Sequence, residues 1–289
     1  MRLGLAANQL HHSHDEAALF RWLAASETGI RELELGLGAV GRTHDAIVRA
    51  GWLTNYAGLK RFPNGREGGL MKLVAEVVGL DDGRVLDGAI YLIDPVDPSS
   101  IFPEAAALKR QCVIHGKPFI STVASARDWI EMERIHAGLM PDQGADIFHQ
   151  LESRTLALIA HDAMKPQMLA FADEHFDVLS RYAHRVATGT TGQRLNELAW
   201  SRGWPNDQLW TQRYQSGPMG GDAQIADLVL ERRCQRAIFF EDPHVARQHE
   251  ADIQLLERAV TTRTDEAVCI TSPKVAARWV SAARIRSQK

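Results

Sequence analysis

Two stretches of this 289-residue chain read as copies of one another. Leu3-Gly4-Leu5-Ala6-Ala7 aligns with Leu156-Ala157-Leu158-Ile159-Ala160, Gly68-Gly69 with Gly220-Gly221, and Asp94-Pro95 with Asp242-Pro243. An acid follows that aspartate by ten residues in both halves, as Glu104 and Asp252. A repeat of about 130–150 residues is an ordinary domain length, so one α/β unit in tandem is the expected plan. Within each copy short apolar runs alternate with helical patterns. The first half reads as strands at 3–7, 31–37, 89–93 and 118–123 and helices at 16–26, 43–50, 70–78, 103–114 and 125–135, with 56–66 irregular. The second reads as strands at 155–160, 184–187, 208–213, 237–240 and 267–271 and helices at 167–179, 193–202, 222–233, 249–260 and 273–285. Strands alternating with helices fold into a parallel sheet covered on both faces. The expected fold is therefore α/β: two tandem three-layer α/β/α, Rossmann-like domains, each on a mainly parallel five-stranded sheet. Their expected limits are 1–138 and 154–289, joined by a linker at 139–153.

Composition narrows the function classes. A net charge of -3, with no basic stripe, gives no footprint for nucleic acid. Cys112, Cys234 and Cys269 are odd in number and form no CxxC pair, so neither a zinc ribbon nor a disulfide framework is expected. No apolar run is long enough for a bilayer, and the N-terminus turns polar too soon for a leader. A cytoplasmic protein with buried thiols follows. The HHSH tract at 11–14 lacks supporting carboxylates or cysteines and reads as a surface loop rather than a metal site.

The chemistry gathers in the second half, where four polar clusters each follow a predicted strand. Open α/β sheets bind ligands just outside the carboxyl ends of their strands. The clusters are His161-Asp162 with Lys165, the run TGTTG at 188–192, QSGPMGGD at 215–222, and Asp242 with His249 and Asp252 beyond it. TGTTG offers hydroxyls and backbone donors at a helix N-terminus, which suits a phosphate. One cation, a hydroxyl and glycine cradle, a histidine and several carboxylates are what proton transfer on a small phosphorylated carbonyl compound needs. The copies differ in these groups. His161-Asp162 becomes Asn8-Gln9, Lys165 becomes His12, Asp222 becomes Leu70, and His249 falls opposite Ile101, while the glycines and the Asp-Pro turns persist. Groups needed only for the fold should survive in both copies, so the second copy is the expected active one.

HDAMK, ATGTTG, SGPMGGD and FFEDP, followed by His249 and Asp252, closely resemble bacterial methylglyoxal synthase over about 155–280. The first half resembles that family only through its match to the second. The resemblance implies a carbon–oxygen lyase acting on phosphates, which turns dihydroxyacetone phosphate into methylglyoxal and inorganic phosphate with neither metal nor organic cofactor. It implies Asp222 as general base, His249 as the group that polarises the carbonyl and shuttles a proton, and Asp252 and Asp162 as assistants. It gives phosphate binding to Lys165, Thr188, Thr190, Thr191, Ser216 and Gly217, and substrate positioning to His161. It also implies a homo-oligomer, with no nucleic-acid or membrane partner. The same fold serves elsewhere as a phosphate-ligand sensor, which needs the cradle but not Asp222 or His249. A different enediol chemistry, such as sugar phosphate isomerisation, is the third reading. Family members carry a further phosphate-binding arginine past the last helix, and Arg284 and Arg286 are candidates for that role here, as is an arginine of the first copy.

Overall fold

The structure, a computed structural model, describes residues 1–98, 103–244 and 250–288, apart from the side chains of 218 and 250–253. The chain divides into two compact units, Met1–Ala145 and Asp146–Lys289. The first runs β1 (Arg2–Ala7), α1 (Ala18–Glu32), β2 (Gly36–Ala39), α2 (Gly41–Arg49), β3 (Leu59–Arg61), α3 (Gly69–Val78), β4 (Gly88–Leu92), α4 (Pro103–Ile114), β5 (Phe119–Ile120) and α5 (Val123–His136). The second runs β6 (Thr155–Ala160), α6 (Lys165–Glu174), α7 (Phe176–Leu179), β7 (His184–Ala187), α8 (Gly189–Ser201), β8 (Gln212–Arg213), α9 (Gly221–Leu230), β9 (Arg236–Phe240), α10 (Glu250–Thr262), β10 (Val268–Ile270) and α11 (Pro273–Ser287).

Each unit holds a five-stranded sheet, with strand order β3-β2-β1-β4-β5 in the first and β8-β7-β6-β9-β10 in the second. Matching strands in chain order makes these two orders the same, and every pairing is parallel. The registers match as well: Leu5 sits opposite Ala39 as Leu158 sits opposite Ala187. A parallel strand covered on both faces must be apolar throughout. TLALIA and RAIFF are accordingly buried along their whole length. On one face of the second sheet, Ala157, Ile159, Val186 and Phe239 pack with Ile225 and Val229 of α9 and Leu256 and Val260 of α10. Both closing helices start alike. Thr122 caps α5 by accepting from the Ser125 N–H at 3.0 Å, and Ser272 caps α11 by accepting from the Val275 N–H at 3.3 Å.

Several expected boundaries move. Residues 31–32 end α1 rather than begin a strand, and the strand is Gly36–Ala39. RELEL alternates apolar and polar residues, but helix packing decides: Ile30 is buried on α1, and the chain turns at Glu34, which has a positive φ of 48°. The irregular segment 56–66 contains the edge strand β3, too short and polar to show a pattern. The helix expected at 167–179 is two helices meeting at His175. The HHSH tract is not simply a surface loop. His11 is buried at the end of a 3-10 turn (Gln9–His12), and its ring pairs through Nε2 with the Ile93 carbonyl at 2.8 Å. Cys112 and Cys234 are buried and free, and burial pushes both thiols up to about 12, while Cys269 is half-buried. No described helix is long and apolar enough to cross a membrane.

Candidate active site

In the strand order of the second unit, the chain leaves β6 towards β7 and β8 and then returns to its other side at β9. A ligand crevice is expected at that switch point, at the carboxyl edge. His161 follows β6 and Asp242 follows β9, so the two residues flank it. The Asp242 N–H donates to His161 Nδ1 at 2.7 Å, which places the proton of the neutral imidazole on Nε2. The ring also packs edge-on against Phe239, with centroids 4.9 Å apart. The first unit keeps the same link with an amide: the Asp94 N–H donates to Asn8 Oδ1 at 3.3 Å. His161 is thus a bridge between two strand ends, a role that asparagine fills in the other unit. Asp242 and Asp94 also each accept from the N–H two residues on, at 2.8 and 3.0 Å.

TGTTG is not a loop before a helix, as expected, but the first turn itself, since α8 starts at Gly189. Thr188 is buried and makes no side-chain capping bond, Thr190 is exposed, and the amides of Thr190 and Thr191 stand where a helix has no internal acceptor. This turn is docked onto QSGPMGGD by backbone alone. The Gly189 N–H donates to the Gln215 carbonyl at 3.0 Å. A Cβ on Gly189 would lie 2.8 Å from Ser216 Cα and 2.9 Å from Ser216 N. Only glycine allows the two segments so close. Ser216 then leads a 3-10 turn (Gly217–Met219), Gly220 takes the left-handed conformation at φ 93°, and α9 begins. Asp222, half-buried, occupies the second position of α9. Its Oδ2 lies against Gly217, where an added Cβ would come within 2.7 Å. The fold therefore brings the threonine cradle, Ser216, Gly217 and Asp222 together.

Lys165 opens α6 and pairs with Asp162 Oδ1 at 2.5 Å. The Asp162 side chain is 95% exposed. His249 lies outside the described residues, as does the side chain of Asp252, whose backbone belongs to α10. Arg284 and Arg286 do not reach the cradle within this unit. α6 and α11 both start at the carboxyl edge and run back to the amino edge, where Arg284 clamps Asp177 at 2.6 and 3.1 Å and donates to the Glu174 carbonyl at 3.3 Å. Arg286 pairs with Asp146. Among the described residues no cluster of three or more His, Cys, Asp or Glu side chains is placed to hold a metal ion.

The first unit shows what the same frame looks like when closed. Its turn has the same parts: Gly41 donates to the Pro63 carbonyl at 3.1 Å, Gly65–Glu67 is a 3-10 turn, Gly68 is left-handed at φ 85°, and α3 begins at Gly69. Here the polar groups satisfy each other. Thr43 Oγ1 accepts from the Ala7 N–H at 3.0 Å, and Asn64 forms a capping box with Glu67. Asn64 Oδ1 fills the space beside Gly41. In the second unit Thr191, the counterpart of Thr43, is 2% exposed and its Oγ1 has no hydrogen-bond partner among the described residues. A buried hydroxyl left this way costs roughly 1–3 kcal/mol. Thr191→Val is therefore expected to leave the free chain as stable or slightly more stable in a thermal melt, and to weaken inorganic phosphate binding about tenfold. Thr43→Val removes a used acceptor and is expected to destabilise by roughly 1–3 kcal/mol with no effect on phosphate.

No family model matches the chain. It is 46% identical over 105 residues to a methylglyoxal synthase of Thermus thermophilus, a stretch covering 76% of that protein and 36% of this chain. It is 38% identical over 128 residues to a methylglyoxal synthase of Carboxydothermus hydrogenoformans, covering 91% of that protein and 44% of this chain. Among solved structures, a methylglyoxal synthase of Elizabethkingia anophelis is 29% identical, covering 78% of that chain and 45% of this one at a TM-score of 0.36. In each comparison more than half of this chain lies outside the match.

Proposed function

The chain belongs to the methylglyoxal synthase family, and from that premise we propose that its second unit converts dihydroxyacetone phosphate to methylglyoxal and inorganic phosphate. The observation that carries this reading is the docking of the α8 N-terminus on the turn that holds Asp222. It sets an anion cradle beside a carboxylate. A substrate with its phosphate on the cradle presents its carbonyl end to that carboxylate.

In this reading Asp222 removes a proton from the hydroxymethyl carbon. The electron pair moves into the carbon–carbon bond, and the negative charge collects on the former carbonyl oxygen. The hydroxyl on the former hydroxymethyl carbon passes its proton to the enediolate oxygen and becomes the aldehyde carbonyl. The carbon–carbon π pair shifts towards the phosphate-bearing carbon, and the bond from that carbon to the ester oxygen breaks, phosphate leaving with its electron pair. The remaining enol takes a proton on its methylene carbon, which becomes the methyl group, and gives up its hydroxyl proton as the ketone forms. A positioned base contributes about 10²–10⁴-fold in rate. A donor preorganised at the developing oxyanion adds about 3–4 kcal/mol. His161 Nε2–H is one such donor, and His249 and Asp252 enter as proton shuttle and assistant on their sequence positions alone. Lys165, Thr188, Thr190, Thr191, Ser216 and Gly217 hold the phosphate, and Asp162 orients Lys165 through their ion pair. No metal or organic cofactor takes part.

The two units share strand order, register, turn geometry and the bridge at the switch point, and we attribute this to duplication of one domain. The first unit, with Leu70 in place of Asp222 and its cradle filled by Asn64, performs no chemistry. A cytoplasmic homo-oligomer remains the expected setting. Purified full-length chain is expected to release phosphate and a colorimetrically detectable 2-oxoaldehyde from dihydroxyacetone phosphate at neutral pH. Folded protein that yields neither would overturn the proposal; phosphate binding without turnover would make the protein a sensor, and a sugar or triose phosphate product seen by NMR would make it an isomerase.

A further inference from the structure

We propose that Arg213 is a phosphate-binding residue of the second unit, a cation released for that role by the loss of the carboxylate that holds its counterpart in the first. The inference rests on the reading of the α8 N-terminus as a phosphate site. The registers pair Ala39 with Arg61 and Ala187 with Arg213, so these two arginines end equivalent edge strands. In the first unit Arg61 is spoken for. Its Nε and Nη2 bond both oxygens of Asp45 at 2.8 and 2.9 Å, and Nη2 also donates to Asn64 Oδ1 at 3.2 Å. That geometry shows how far the side chain reaches. Arg61 Nη2 lies 2.9 Å from where a Cβ of Gly41 would be, over the first residue of α2.

In the second unit each of these holds is gone. Asp45, four residues after Gly41, corresponds to Gln193, four residues after Gly189, and Gln193 turns instead to Glu197 at 3.0 Å. Asn64 corresponds to Ser216, whose side chain has two fewer heavy atoms and reaches one bond less far. Arg213 is exposed and has neither a carboxylate nor any other hydrogen-bond partner among the described residues. Its stem lies on the first turn of α8, with Cγ 2.9 Å from where a Cβ of Gly192 would be. An arginine of the same reach, on the same strand end, thus stands beside the N-terminus of α8 with its fork unused. Thr191, in that same turn, keeps a buried hydroxyl without a partner among the described residues. Cation, hydroxyl and helix amides together make a bidentate phosphate site. Arg284 and Arg286, both paired at the amino edge, cannot supply that cation from within the unit.

The test is titration calorimetry of inorganic phosphate into the full chain, alongside KM for dihydroxyacetone phosphate. Arg213→Ala is expected to weaken phosphate binding and raise KM by about 10- to 100-fold, the range of a hydrogen-bonded charge contact, with Arg213→Lys recovering part of the loss. Gln193→Asp, which restores the carboxylate of the first unit, is expected to weaken phosphate by a similar factor. In the Arg213→Ala background it is expected to add little. A loss below about tenfold in folded Arg213→Ala overturns the assignment, as does a wild-type chain without measurable phosphate affinity. The titration needs no turnover. Phosphate held through Arg213 in a chain that leaves dihydroxyacetone phosphate unchanged would sustain this proposal and overturn the lyase; turnover indifferent to Arg213 would do the reverse.

Discussion

Asp222→Asn is expected to lower turnover of dihydroxyacetone phosphate by about 10³-fold or more, while inorganic phosphate binds as tightly as before. Asparagine keeps the shape and one acceptor oxygen of aspartate, so the turn at Gly217 and the start of α9 should persist. What it loses is the ability to take a proton. The competing explanation is that Asp222 merely favours the first turn of α9, where a carboxylate is stabilised by about 0.3–1 kcal/mol. An effect of that size accounts for less than about tenfold, whereas a 10³-fold fall in rate is about 4 kcal/mol of transition-state stabilisation. The two explanations therefore separate by magnitude as well as by kind. Steady-state kinetics, phosphate calorimetry and a thermal melt on one preparation decide between them. A variant that loses phosphate affinity in parallel with rate, or that melts well below the parent, would make Asp222 a structural residue.

How far the sequence reveals the fold depends on which kind of residue carries the signal. The strands TLALIA and AIYLI were legible because a doubly covered parallel strand has to be apolar throughout. β3 and β8 were poorly legible because an edge strand of three or two residues, largely exposed, carries no pattern. The parallel plan followed from alternation, but the strand order did not, since it depends on where each helix crosses. The site was legible where the copies differ in charge, as at Asp222 and Leu70. It was misleading where a change in residue hides a shared task. His161 and Asn8 looked like gain and loss of chemistry, yet both accept the same backbone N–H across the switch point. Arg213 carries no signal in the sequence for the opposite reason. It matches Arg61, so the two copies do not differ there, and the difference lies in the partner, Asp45 against Gln193.

The glycines of the turn make the sharpest test of what belongs to the frame and what to the chemistry. Gly221→Ala is expected to destabilise the second unit by about 1–3 kcal/mol or more and to abolish most turnover. An added Cβ would overlap the Gln215 carbonyl oxygen and lie 2.7 Å from its carbon, both backbone atoms that no rotamer change can clear. The carbonyl that must move is the acceptor for the Gly189 N–H, so the strain breaks the bond that docks the cradle on the Asp222 turn. Gly69→Ala meets the same obstacle in the first unit, where the Cβ would overlap the Pro63 carbonyl oxygen that accepts from Gly41, and would lie 2.9 Å from Val40 Cγ1. Its expected loss of stability is of the same order, about 1–3 kcal/mol, confined to the first unit's unfolding transition. Turnover by the folded fraction should survive, because that unit contributes neither base nor phosphate ligand. Denaturant unfolding followed with kinetics below the first transition measures both quantities. If Gly69→Ala removes turnover as completely as Gly221→Ala while the second unit remains folded, then the first unit takes part in the reaction, and the division of the chain into a working copy and a closed one fails.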